Sequence, residues 1–117
     1  MEVVIDSNKS VSWDNEGNNI LVFPEGFSKS ARYYEVNEVV AVLCAEDNKR
    51  NIYLYSSSGH LLNTVSESEG VYFLGLTRHV NQEMAVVCSV PSDKMWQQWH
   101  YGFNKKNGQI TKLSPHK

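Results

Sequence analysis

Val39-Val40-Ala41-Val42-Leu43-Cys44-Ala45 is an unbroken apolar run, mostly β-branched, and the fold turns on how it and its sequel are read. β-branched side chains fit a pleated surface better than a helix. The polar turn Asp47-Asn48-Lys49-Arg50 follows, then a second strand-like run, Asn51-Ile52-Tyr53-Leu54-Tyr55. Ser56-Ser57-Ser58-Gly59 turns the chain again, and Leu61-Leu62-Asn63-Thr64-Val65 closes the unit. Strand, turn, strand, turn ending in Gly, strand is an antiparallel meander.

Working outward, the N-terminal part reads as a strand over Glu2–Asp6, a turn at Ser7–Ser10 and a short strand at Val11–Trp13. Asp14-Asn15-Glu16-Gly17-Asn18 is a turn signal, because Gly and Asn tolerate positive φ. Asn19–Phe23 is a strand that Pro24-Glu25-Gly26 ends. Ser28–Arg32 could form one helical turn, the single place where a helix is expected, and Tyr33–Val36 reads as extended. Beyond the central unit come an acidic loop at Ser66–Gly70, a strand at Val71–Leu76 and a connection from Thr77 to Gln82. Met84–Val90 suits a strand covered on both faces, and Pro91–Lys94 a turn. Trp96–Phe103 alternates, with Trp99, Tyr101 and Phe103 on one face. Asn104–Gly108 turns into a last strand, Ile110–Leu113, ahead of a frayed Ser-Pro-His-Lys end.

These segments repeat. Glu38–Cys44 matches Glu83–Cys88, and Asn51–Tyr55 matches Trp99–Phe103. An aromatic residue precedes a polar turn closing on Gly at Trp13 to Gly17, Tyr55 to Gly59 and Phe103 to Gly108. The chain resembles β-propeller blade repeats in this pattern, although Trp13-Asp14 occurs once and Gly59-His60 lies at a turn. The resemblance implies about two and a half meander units, whereas a propeller ring needs at least about four blades. Either several chains assemble a ring, or the sheets fold onto each other. The second is the expectation: a single all-β domain over 1–117, its antiparallel meanders forming a sandwich or partial barrel with at most one short helix.

Composition narrows the function classes. An apolar content of 41% and a charged content of 21% fit a folded domain and not a disordered tail. No apolar run approaches bilayer length, so no membrane partner is expected. The acidic start Met1–Asp6 does not read as a secretory leader, and the cytoplasm is the expected location. Residues 1–50 hold nine acids and five bases, and residues 51–117 four acids and six bases. No basic stripe exists, so nucleic acid is not an expected partner.

Candidate chemistry is sparse. Cys44 and Cys88 sit among aliphatic residues, which raises a thiol pKa, and no Cys/His spacing calls for a metal. Neither a metal nor another cofactor is expected. The four histidines, His60, His79, His100 and His116, have no spacing that forces two of them onto one phosphate as base and acid. The acid pairs Asp14/Glu16, Glu46/Asp47 and Glu67/Glu69 fall in turns, not in a cleft. The aromatics carry more weight, since Tyr and Trp dominate binding hot spots. In overall type, and in its ending Trp99–Ile110, the chain is similar to bacterial immunity proteins. That resemblance implies a non-catalytic module that binds and blocks a basic, nuclease-like toxin domain. Its expected contacts are Asp14, Glu16, Glu46, Asp47, Glu67 and Glu69, with Tyr53, Tyr55 and Trp96 as aromatic anchors. A carbohydrate or small-ligand binder with sites near Tyr55 and Phe103, and a histidine-dependent hydrolase or nuclease, are the alternatives.

Overall fold

The computed structural model describes residues 1–7, 9–92 and 95–116. Among these residues the chain forms eleven strands and no helix: β1 Val3–Ser7, β2 Ser10–Asn15, β3 Asn18–Val22, β4 Phe27–Tyr34, β5 Val39–Glu46, β6 Lys49–Ser56, β7 Leu61–Ser66, β8 Tyr72–His79, β9 Gln82–Ser92, β10 Met95–Phe103 and β11 Ile110–Pro115. Strands pair only with their neighbours in sequence, giving three antiparallel meanders, β1–β3, β4–β7 and β8–β11. None closes into a barrel. Among the described residues no helix is long and apolar enough to cross a membrane.

The apolar run of β5 explains how the sheets stack. Its side chains alternate between two cores. Val39, Ala41 and Leu43 join Ile52, Leu54 and Val65 against Phe73, Met84, Val86, Cys88, Tyr101 and Phe103 of the third sheet. Val40, Val42 and Cys44 join Tyr53 and Tyr55 against Val11, Trp13 and Val22 of the first. The middle sheet is thus covered on both faces, and a strand in that position has no polar side to show. Cys44 and Cys88 are free thiols belonging to different cores.

Four local expectations are corrected. Ser28–Arg32 is not a helical turn but part of β4, and the pairing with β5 shifts register between Ser28 and Ser30. That bulge breaks the two-residue alternation by which a strand is recognised. Extended chain stops at Tyr34, because Glu35–Glu38 is a turn closed by the Glu38 N–H on the Glu35 carbonyl at 3.2 Å. The connection after Leu76 is shorter than expected: β8 runs on to His79 and β9 begins at Gln82. The turn expected at Pro91–Lys94 begins inside β9, with Asp93 and Lys94 outside the described residues.

Polar side chains fasten the sheets together. The Glu67 carboxylate accepts from the Arg50 N–H at 3.0 Å and the Phe73 N–H at 2.6 Å, while Arg50 Nη1 donates to the Phe73 carbonyl at 3.0 Å. A charged acceptor shared by two backbone donors is worth more than a neutral one. Glu67→Ala is therefore expected to lower stability by about 1.5–3 kcal/mol. Glu69→Ala, at an exposed position, is expected to change it by less than about 0.5 kcal/mol. Urea unfolding of the two variants side by side checks the contrast, and equal costs would show that the Glu67 clasp carries no stability.

Candidate functional site

The second and third sheets meet at one end in an open groove lined by Lys29, Asp47, Arg50, Glu67, Tyr72 and Leu74, among others. β8 alternates there. Phe73 points into the core at 1% exposure, so Tyr72 on the other side stands 46% exposed. Register then sets its neighbour: Tyr72 pairs with Ser89, and Trp96 pairs with Pro91 on the adjoining strand. Tyr72 and Trp96 meet edge to face, ring centroids 5.4 Å apart, with Trp96 58% exposed. An aromatic ledge beside a groove of mixed charge combines apolar contact area with orienting charges.

The structure divides the sequence-derived contact residues. Asp47 and Glu67 line the groove, Trp96 stands next to its Tyr72 edge, and Glu69 is exposed in the loop that leads to β8. Glu46, partly buried at the end of β5, accepts from Asn51 Nδ2 and from the Tyr53 hydroxyl. Asp14 and Glu16 belong to the β2–β3 hairpin, where the Asp14 carboxylate accepts from the Gly17 N–H at 3.2 Å. Tyr53 and Tyr55, expected to serve as surface anchors, are only 7% and 6% exposed. The first sheet covers them, and burial followed by the Glu46 carboxylate pushes the Tyr53 phenol well above its usual range. Phe103 is 1% exposed, so neither position named for a small ligand is open.

Three acidic residues hold the left-handed backbone conformation, Glu16 at φ 52°, Glu38 at φ 54° and Asp47 at φ 48°. Gly would adopt that conformation at lower cost. The acids at these turn tips are therefore tolerated against backbone preference, and each presents a carboxylate at the rim of a sheet.

Sequence spacing did not bring the histidines together, but the fold does. On the outer side of the third sheet, His116 Nδ1 lies 3.3 Å from His100 Nε2, and the His79 and His100 rings are 5.2 Å apart. His79 accepts the Asn81 N–H at Nδ1, which leaves Nε2 to donate to Ser114 Oγ at 2.8 Å. His100 Nδ1 is buried without a partner. Burial, then the like charges of His116 and His79, hold the His100 imidazole below its ordinary value. The cluster forms because the expected frayed end is ordered as far as His116, with Lys117 outside the described residues: β11 continues to Pro115 and the His116 N–H donates to the Gln98 carbonyl at 2.9 Å. The thiols offer little nucleophilicity at neutral pH, since burial pushes Cys44 up to about 11 and Cys88 up to about 12.

No protein-family model matches the chain, and neither the curated proteins nor the solved structures contain a significant match.

Proposed function

We propose that the protein is a non-catalytic binding module whose aromatic ledge, Tyr72 and Trp96, anchors a protein partner. The observation that carries this reading is the pair itself: two large aromatic rings packed edge to face, about half exposed, on a hydrogen-bonded sheet. Rigid aromatic anchors lose little conformational entropy on binding and concentrate affinity in few contacts. Asp47, Glu67 and Glu69 stand near the ledge, but Lys29, Lys49 and Arg50 share the groove, so the charge there is mixed and the basic partner rests on the resemblance in overall type. The narrower reading, supported by the resemblance in overall type, is an immunity protein that blocks a cognate, nuclease-like toxin in the cytoplasm of a bacterium.

Co-expression with the product of the neighbouring gene tests it. The intact protein is expected to rescue growth and to co-purify with that product. Trp96→Ala is expected to weaken the complex at least about thirtyfold, as truncation of a central aromatic anchor does. Full protection by Trp96→Ala would remove the ledge from the interface, and absence of both rescue and complex would remove the toxin reading. One observation favours a second reading, a histidine-dependent hydrolase or nuclease: the 3.3 Å approach of His100 and His116, within reach for shared base and acid roles. An activity abolished by His100→Gln would support that reading.

A further inference from the structure

His100 points outward on β10, because its neighbours Trp99 and Tyr101 pack toward the core and side chains alternate along a strand. What brings His116 to it is the bulge in the pairing of β10 with β11. Tyr101 pairs with Lys112 and His100 with Ser114, so Leu113 is an extra residue. Without it Ser114 and His116 would fall on the Tyr101 side of the sheet, since a slip of one residue exchanges the two faces. With it they stand on the His100 side, and the His116 N–H on the Gln98 carbonyl at 2.9 Å ties the end of β11 to β10. His116 Nδ1 is thereby held 3.3 Å from His100 Nε2.

That separation is long for a hydrogen bond donated by an N–H. It is the bite of a metal ion: tetrahedral geometry with metal–nitrogen bonds of about 2.0–2.1 Å sets two ligands about 3.3–3.4 Å apart. The nitrogens are also sorted. His100 Nδ1 is buried without a partner, so this imidazole can meet an ion only through Nε2. His116 is exposed and presents Nδ1. His79 has no nitrogen to spare, since the Asn81 N–H occupies Nδ1 at 3.1 Å and Ser114 Oγ occupies Nε2 at 2.8 Å. Its ring instead packs 5.2 Å from that of His100 and helps to orient it. Among the described residues no group of three His, Cys, Asp or Glu side chains is placed to hold a metal. The chain therefore supplies two imidazoles, and water completes the coordination. No sequence spacing called for a metal, because the two ligands are 16 residues apart and only the bulge joins them.

We infer that His100 Nε2 and His116 Nδ1 together bind a divalent transition-metal ion, with Zn²⁺ the best fit, on the outer face of the third sheet. Imidazole suits Zn²⁺, Cu²⁺ and Ni²⁺, whereas Mg²⁺ and Ca²⁺ take oxygen ligands. The ion cross-links β10 to the end of β11, so it binds the folded chain and stabilises it by mass action. It also takes up both nitrogens that a histidine base and acid would use, so metal binding and the hydrolase reading exclude each other. The site shares no residue with the Tyr72–Trp96 ledge and does not rest on the partner reading.

Calorimetric titration of the untagged protein with Zn²⁺ tests this. One equivalent is expected to bind, saturating below about 1 mM, the weak end of specific affinity, while Mg²⁺ at the same concentration is expected not to bind. His100→Gln and His116→Gln are each expected to weaken Zn²⁺ binding at least about tenfold, the least that disturbing a metal site costs. His60→Gln, at an exposed position between β6 and β7, is expected to leave it unchanged. Absence of saturable Zn²⁺ binding up to about 1 mM would mean a hydrogen-bonded pair only, and overturns the proposal. So does Zn²⁺ affinity that survives His100→Gln, or that is lost with His60→Gln. Should either cluster variant fail to fold by far-UV circular dichroism, Cu²⁺ and the wild-type protein decide. Cu²⁺ binds imidazole sites at least as tightly as Zn²⁺, and its unpaired electron broadens the NMR signals of nearby nuclei. Amide signals of His100, Ser114 and His116 are expected to disappear first at substoichiometric Cu²⁺, while those of Ser58 and His60 persist. Broadening centred on His60 instead overturns the site.

Discussion

Tyr34→Ala is expected to lose about 3–5 kcal/mol of stability, the range for truncating a large buried aromatic. Tyr34 ends β4 at 0% exposure and reaches from the middle sheet into the third. Its hydroxyl donates to the Thr77 carbonyl at 2.7 Å and also lies 3.1 Å from the Ala85 carbonyl. Those two residues face each other across β8 and β9, so a single O–H spans the pairing of two strands. The ring packs edge-on against Phe103 with centroids 5.9 Å apart. Burial pushes the phenol well above its ordinary range, so it remains a neutral donor throughout the working pH range. Tyr34→Phe separates the two contributions. It keeps the ring and removes the donor, and is expected to cost about 1–3 kcal/mol. Urea unfolding with unchanged slope measures both. A cost below about 1 kcal/mol for Tyr34→Ala, far under the usual range for a core aromatic, would show that the contact between the second and third sheets does not depend on this side chain.

The strands were legible where local signals agree. Val39–Ala45 announces a buried strand by its β-branched, uninterrupted apolar run, and the turns after Glu46 and Ser56 announce its partners. Which neighbour each residue of β5 faces was not legible, since Val40 and Leu43 have the same chemistry and differ only in parity. Parity acquires meaning only when sheets exist on both sides. The same gap accounts for Tyr53 and Tyr55. A tyrosine suits a surface anchor and a buried position with a satisfied hydroxyl equally well, and the covering first sheet decides between them. At Ser28–Arg32 the bulge removed the periodic signal itself. Tyr72 was within reach of the sequence, because alternation through Val71-Tyr72-Phe73-Leu74 puts it opposite Phe73. The histidine cluster was not. It depends on a register shift between His100 and Tyr101 in the pairing of β10 with β11, which local composition does not reveal.

Trp13→Ala is expected to cost a similar amount, about 3–5 kcal/mol, but to distribute it differently. The first sheet has three strands, and Val11, Trp13 and Val22 are its buried side chains, with Val3, Ile5 and Ile20 at the margin. Trp13 is 2% exposed, its indole N–H donates to the Ser57 carbonyl at 2.7 Å, and its ring lies 6.2 Å from that of Tyr55. It thus joins the first sheet both to the face of β6 and to the turn beyond it. At that turn Gly59 holds φ +94°, and a Cβ there would stand 2.7 Å from Ile20 Cγ2, so the two segments already approach as closely as a glycine permits. The middle and third sheets share a separate and larger core that does not contain Trp13. Loss of the indole is therefore expected to release β1–β3 first, as a unit that opens below the global unfolding free energy. Hydrogen exchange checks this: amides of Val4, Val11 and Ile20 should lose protection while those of Leu43 and Leu54 keep most of theirs. Trp13→Phe, which retains the apolar surface and lacks the donor, should fall between wild type and Trp13→Ala in the first sheet alone. If protection instead drops by the same amount in all three sheets, the first sheet is not a separable unit. The middle sheet, stripped of one cover, would then be unable to keep Tyr53, Tyr55, Val40 and Val42 away from water and stay folded.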